Sequence, residues 1–165
     1  MAEMFLKLSD IDGESLDDKH GGEIELQNWS WEVTNTVKWD VNQGGQSTKV
    51  AHAEINLTKY CDKASVTLHQ NCVTGKHIKK GRITCRKNDG DQKVEYFVLD
   101  LTDIMVTYVK FDGQGDSQSL LEQVRLSCAE YNIQYALQAD AGNPQGAKSF
   151  LFNIQRQRGQ ASESK

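Results

Sequence analysis

The sequence predicts a mainly β, single-domain barrel carrying one short α-helix. Three observations lead there. Apolar and polar residues alternate in stretch after stretch, as they do in strands that bury one face. In two long stretches the alternation changes phase midway, which in a strand marks a reset such as a bulge and lets a sheet bend sharply enough to curl. Only one segment carries helical spacing. At 165 residues the chain is one ordinary domain with room for a real core.

In chain order, "MFLKLSDIDGES" begins as a strand and passes into an acidic turn. "IELQNWSWEV" holds the first phase change: Ile24 and Leu26 are apolar on even positions, Trp29, Trp31 and Val33 on odd ones. With a bulge at Gln27-Asn28 all five share the core face, and Glu25, Asn28, Ser30 and Glu32 take the polar one. "TNTVKWDVNQGGQST" is too long for a hairpin turn and too polar for a core, and is expected as a projecting loop. In "KVAHAEINLT", Ala51, Ala53, Ile55 and Leu57 are expected on one side, His52, Glu54, Asn56 and Thr58 on the other. "DKASVTLHQNCVTGKH" reads as the helix, with Ser65 capping its first turn and Gly75 stopping it. "RITCR", "EYFVLDL" and "IMVTYV" are strands. "VRLSCAEYNIQYA" repeats the phase change, between Val124, Leu126, Cys128 and Tyr131, Ile133, Tyr135. "SFLFNIQ" alternates again, and a polar tail over 159–165, frayed at the end, follows a domain spanning 1–158.

A formal charge of -4 and a pI near 5.6 argue against a dedicated nucleic-acid binder, which needs a basic excess or face. No apolar run is long enough to span a membrane, and "MAEMFLKLSD" lacks the pattern of a secretory signal, so synthesis and folding in the cytoplasm are expected. Cys61, Cys72, Cys85 and Cys128 show no paired spacing and are expected as small core hydrophobes.

No catalytic, metal or cofactor constellation is expected. "DIDGES" opens like a calcium loop through Asp10 and Asp12, but Gly13 comes too early and no closing Glu follows. His69 and Cys72 lie one helical turn apart, without an orienting carboxylate or a second ligand pair. Trp39 stands in the polar stretch, open to contact. Lys76, Lys79, Lys80, Arg82, Arg86 and Lys87 crowd into twelve positions, and acidic residues crowd 10–18. Opposed charge surfaces suit either solvated faces or head-to-tail association that closes into a ring.

Several of these stretches also carry a resemblance. "MFLKLSDIDGES" (Met4, Phe5, Lys7, Ile11, Gly13, Glu14, Ser15), "IELQNWSW", "LTKYCDKAS", "CVTGKH" and "ITCRK" resemble, in order, motifs of the haemolysin-coregulated proteins of bacterial type VI secretion systems. That resemblance implies a hexameric ring of β-barrel protomers, stacked into a hollow tube that a contractile sheath expels behind a spike tip protein. It further implies small secreted effectors carried in the lumen and export without a signal peptide; with no catalytic constellation and a chain that stops soon after "FNIQRQ", a plain tube component with no enzyme activity and no fused toxin domain is expected. On this reading Asn28, Ser30 and Glu32 face the lumen and cargo, and Trp39, Asp40, Lys79, Lys80, Asp10 and Asp12 meet a neighbouring subunit. The alternatives are a carbohydrate- or ligand-binding β-sandwich using Trp39, and a small hydrolase using His69 and Cys72.

Overall fold

The computed structural model describes residues 3–89, 92–138 and 144–163. Eleven strands and one helix follow in order: β1 Glu3–Leu8, β2 Ile24–Glu25, β3 Asn28–Ser30, β4 Val33–Asp40, β5 Gly44–His52, β6 Ile55–Tyr60, α1 Ala64–Thr74, β7 Ile78–Asp89, β8 Gln92–Asp112, β9 Leu121–Gln138, β10 Pro144–Asn153 and β11 Arg158–Glu163. All pairings are antiparallel. The fold is mainly β with one short helix, as expected.

The main sheet runs β11-β10-β9-β8-β7-β1-β2, and β9 also pairs β6, which pairs β3. β9 thus serves two partners along one edge: residues 121–126 take β6 and residues 130–138 take β10. Among the described residues no ladder joins the sheet's ends, so they show no closed barrel where one was expected. The seam is spanned by one passing chain instead. Leu26 N–H donates to Met4 O at 2.9 Å, and the next residue, Gln27, donates its N–H to Thr58 O at 2.8 Å. A closed seam needs a strand long enough to ladder on both sides; β2 has two residues and β3 three.

This handover explains the first phase change. Ile24 and Leu26 are buried while the chain pairs β1; Gln27 and Asn28 are both exposed; Trp29 then packs on the core from its new place beside β6. Val33 leaves the core face, being exposed at the start of β4. The second phase change is shared by two strands. In β8 the buried positions shift from Leu99 and Leu101 to Ile104 and Val106, in β9 from Val124 and Leu126 to Tyr131. Leu101 pairs Tyr131 and Ile104 pairs Cys128, so both strands turn over together at Asp103. Its φ of 54° is a left-handed conformation that ends regular alternation.

Three further expectations change. The stretch after Trp31 is a β-ribbon, β4 and β5 paired around a turn at 41–43, and its almost wholly exposed flanks hide the usual strand signal. Ala51 and Ala53 face outward while Ile55 and Leu57 are buried, because β5 ends and β6 begins between them. Residues 159–163 of the anticipated tail belong to β11, paired on β10; residues 164 and 165 lie outside the described residues.

α1 ends as expected at Gly75, whose φ of 68° turns its N–H back to Asn71 O at 2.9 Å. Its start differs. Asp62 rather than Ser65 accepts the Ala64 N–H, at 3.0 Å, because the Ser65 hydroxyl is drawn inside. There Lys59, fully buried, donates to Asp62 Oδ1 at 2.8 Å, Ser65 Oγ at 3.0 Å and Glu122 Oε2 at 2.8 Å, and Ser65 donates to the same Glu122 oxygen at 2.5 Å. One buried ion pair therefore ties β6, β9 and the helix start together.

Candidate functional site

The polar face of β3, β6, β9 and β8 is built by alternation. Trp29, Leu57 and Val124 sit in register on the inner face. One residue on, Ser30 pairs Asn56, Asn56 pairs Arg125, and Arg125 pairs Tyr108, a row of four across four strands on the outer face. The next row is Asn28, Thr58, Gln123 and Lys110. Opposed Cβ atoms in such rows lie about 5 Å apart, so the two rows form one continuous wall. Asn28 and Ser30 are exposed on this side, and Glu32, just past the end of β3, is exposed as well. The wall's cations are Lys110, paired with Asp112 at 2.9 Å, and Arg125, whose guanidinium carbon lies 4.3 Å from the Tyr108 ring centroid and whose Nη1 lies 3.9 Å from Glu54 Oε2.

The β4–β5 ribbon presents Trp39, 83% exposed, and Val41, wholly exposed. Trp39 stands opposite Gly45, and a Cβ added to Gly45 would come within 2.8 Å of the indole. One ring face therefore covers glycine backbone and the other is open, which makes a poor two-sided sugar platform and a good apolar knob. Asp40 accepts the Asn42 N–H at 2.8 Å, so its carboxylate shapes the ribbon's turn. At the ribbon's base an aromatic cluster fixes it to the sheet: Trp31 meets Tyr131 edge-on at 4.7 Å, and His52 bonds the Tyr131 hydroxyl at 3.1 Å and stacks on Phe152. Burial holds the His52 imidazole below its ordinary pKa.

The charge runs divide. Lys79 and Lys80 are exposed, Lys80 donating to Thr102 Oγ1 at 3.1 Å, and Asp10 and Asp12 are exposed in the turn after β1. Arg86 turns inward. It is 1% exposed and binds Glu3 Oε2 at 2.5 Å and Asp17, so one member of the basic run already pairs one of the acidic run within the chain. Lys93 adds to both carboxylates. The Arg86 hydrogen bonds hold the Asp17 carboxyl well below the usual range and lower Glu3 as well. The acidic loop between β1 and β2 is closed by Gly13, whose N–H donates to Gly22 O at 2.8 Å and where a Cβ would sit 2.3 Å from Glu23 O. That close approach is what the glycine serves. His69 is exposed, its ring 5.9 Å from Phe111, and among the described residues no group of three or more His, Cys, Asp or Glu is placed to hold a metal. Burial raises the Cys128 thiol to about 11.

Three residues that matter here were not singled out by the sequence. Lys59 and Glu122 continue the inward phase of Ile55 and Leu57 and of Val124 and Leu126, a signal that was available. Arg125 carried none beyond an outward position.

No described helix is long and apolar enough to cross a membrane. Comparison with known proteins gives a consistent picture. Residues 5–135 match the family model described as "Type VI secretion system effector, Hcp". Protein hcp1 of Pseudomonas aeruginosa is 35% identical over 155 residues, covering 93% of this chain and 96% of that protein. The crystal structure of Hcp1 from Salmonella typhimurium superposes with a TM-score of 0.77 at 29% identity, covering 96% of this chain and 98% of that one. A second solved structure, of a type six secretion system protein, shares the fold at a TM-score of 0.89 and 24% identity, covering 97% and 100%. With the family model covering most of the chain and a relative this similar along nearly its whole length, the chain belongs to the Hcp family of type VI secretion system proteins.

Proposed function

We propose that the chain is a structural subunit of the secretion tube: six copies close head-to-tail into a ring, rings stack, and small effectors ride against the wall that carries Asn28, Ser30 and Glu32. Expulsion by a sheath behind a spike tip, from assembly in the cytoplasm, completes the reading, with no enzymatic step. The observation that carries it is a ribbon whose apolar tip, Trp39 and Val41, is uncovered on a single chain, beside the two polar rows that run from Ser30 to Tyr108 and from Asn28 to Lys110. An exposed indole at the end of an arm is worth most when buried against a partner. In the same reading Lys79, Lys80, Asp10, Asp12 and Asp40 lie near subunit contacts.

Native mass spectrometry of the purified protein tests the ring: a closed six-membered species is expected, because head-to-tail contacts that close use up their own valence. A monomer at micromolar concentration, with no rings by electron microscopy, overturns it. Trp39→Ala is expected to leave unfolding unchanged and to shorten or abolish stacks seen by electron microscopy. Stacks of normal length would make Trp39 only a cover for Gly45.

A further inference from the structure

We infer that Arg125 makes the polar wall selective for acidic protein segments, by offering a flat, open guanidinium to a cargo carboxylate. This rests on the proposal that the wall faces cargo.

The row Ser30, Asn56, Arg125, Tyr108 places one cation among small neutral groups. Asn28, Thr58, Gln123 and Ser127 around it carry hydroxyls and amides, which hydrogen-bond without preference for sign. The Arg125 guanidinium carbon lies over the Tyr108 ring at 4.3 Å, so the ring covers one side of the group while the side chain stays 44% exposed. Glu54 Oε2 is 3.9 Å from Nη1, too far for a hydrogen bond. Glu54 therefore biases the arginine's position without saturating it, and an arriving carboxylate can take two parallel N–H···O bonds that Glu54 does not make. The other nearby cation, Lys110, is already engaged by Asp112 at 2.9 Å. Ser30 lies two strands from Arg125, about 10 Å by the usual strand spacing, so a peptide touching one reaches the other.

Two fluorescent octapeptides, alternating Glu-Ser and alternating Gln-Ser, titrated onto the purified protein at low salt separate charge recognition from general adhesion. Arg125→Gln is expected to weaken the Glu-Ser peptide about tenfold and leave the Gln-Ser peptide unchanged. Arg125→Lys is expected to recover only part of the loss, since a lysine lacks the planar fork. Glu54→Gln, which removes a competing carboxylate, is expected to tighten the Glu-Ser peptide about threefold. Ser30→Gln adds bulk to the wall and is expected to weaken both peptides. If Ser30→Gln weakens both but Arg125→Gln weakens neither, or both equally, Arg125 selects nothing and the inference fails while the cargo wall stands. If Ser30→Gln has no effect on either peptide, the wall is not the cargo surface and the inference falls with it. If Arg125→Gln breaks the oligomer, Arg125 belongs to a subunit contact and the inference is overturned.

Discussion

Lys59→Met is expected to destabilise the protein by about 3–5 kcal/mol, the cost of leaving a buried charge without its partner. The Lys59 ammonium and the Glu122 carboxylate are both fully buried. Removing the lysine strands Glu122, whose Oε2 keeps only the Ser65 hydroxyl at 2.5 Å and whose Oε1 has no hydrogen-bond partner among the described residues. Asp62, 11% exposed, suffers less because water reaches it. The loss also reaches the helix, since Ser65 and Asp62 shape the start of α1 and both bond the same ammonium. Replacing both ends with apolar residues of similar size, Lys59→Met with Glu122→Leu, is expected to recover most of the stability. The interior then loses an ion pair but holds no orphaned charge. Chemical denaturation of the four proteins, fitted for midpoint and slope, reads the coupling directly. A Lys59→Met protein with the midpoint of the parent would mean that the pair contributes nothing, and a double variant no better than the worse single would mean that the fold needs the ions for something other than charge balance.

The same two residues show how much of this molecule could be read in advance. Alternation identified β6 through Ile55 and Leu57 and the start of β9 through Val124 and Leu126, and the phase rule, carried one step further, points Lys59 and Glu122 inward. A charged residue in an inward phase is a signal for a buried pair, because neither ion is tolerated inside alone. The phase change at Trp29 was legible, but its cause was not: sequence spacing says that a reset occurs and cannot say that Leu26 and Gln27 bond to different strands. The ribbon stayed hidden because period-two patterns reveal strands through a buried face, and β4 and β5 have almost none. Of the candidate surface, Ser30 and its outward neighbours followed from the tryptophans on either side. The row that joins Ser30 to Arg125 depends on register between strands almost a hundred residues apart, which no local pattern contains.

The charge runs were equally ambiguous for a physical reason, since composition cannot distinguish a pair made within a chain from one made between chains. Arg86 resolves one case, and Arg86→Met is expected to cost about 3 kcal/mol at neutral pH, the lower end for breaking a buried pair because Glu3 and Asp17 keep some contact with water. Methionine retains apolar bulk against Phe5, whose ring lies 5.0 Å from the guanidinium and also stacks on His20 at 4.3 Å. Most of the loss is therefore electrostatic, and its pH dependence has a definite sign. The Arg86 hydrogen bonds depress the folded-state pKa of Asp17 and of Glu3 below ordinary values of 3.8 and 4.5. Stability from a depressed carboxyl is complete above the unfolded value and is lost as pH falls through the folded one. The parent should thus keep its full advantage over Arg86→Met from neutral pH down to about pH 5, and the gap should narrow steadily as pH falls below about 4, part of it persisting at about pH 2 because Asp17, held well below the usual carboxyl range, is still ionised there. Denaturation midpoints of both proteins across that range make the comparison. A gap that stays constant into acid would place the contribution of Arg86 in its packing on Phe5, and a gap that widens would contradict the pairing itself.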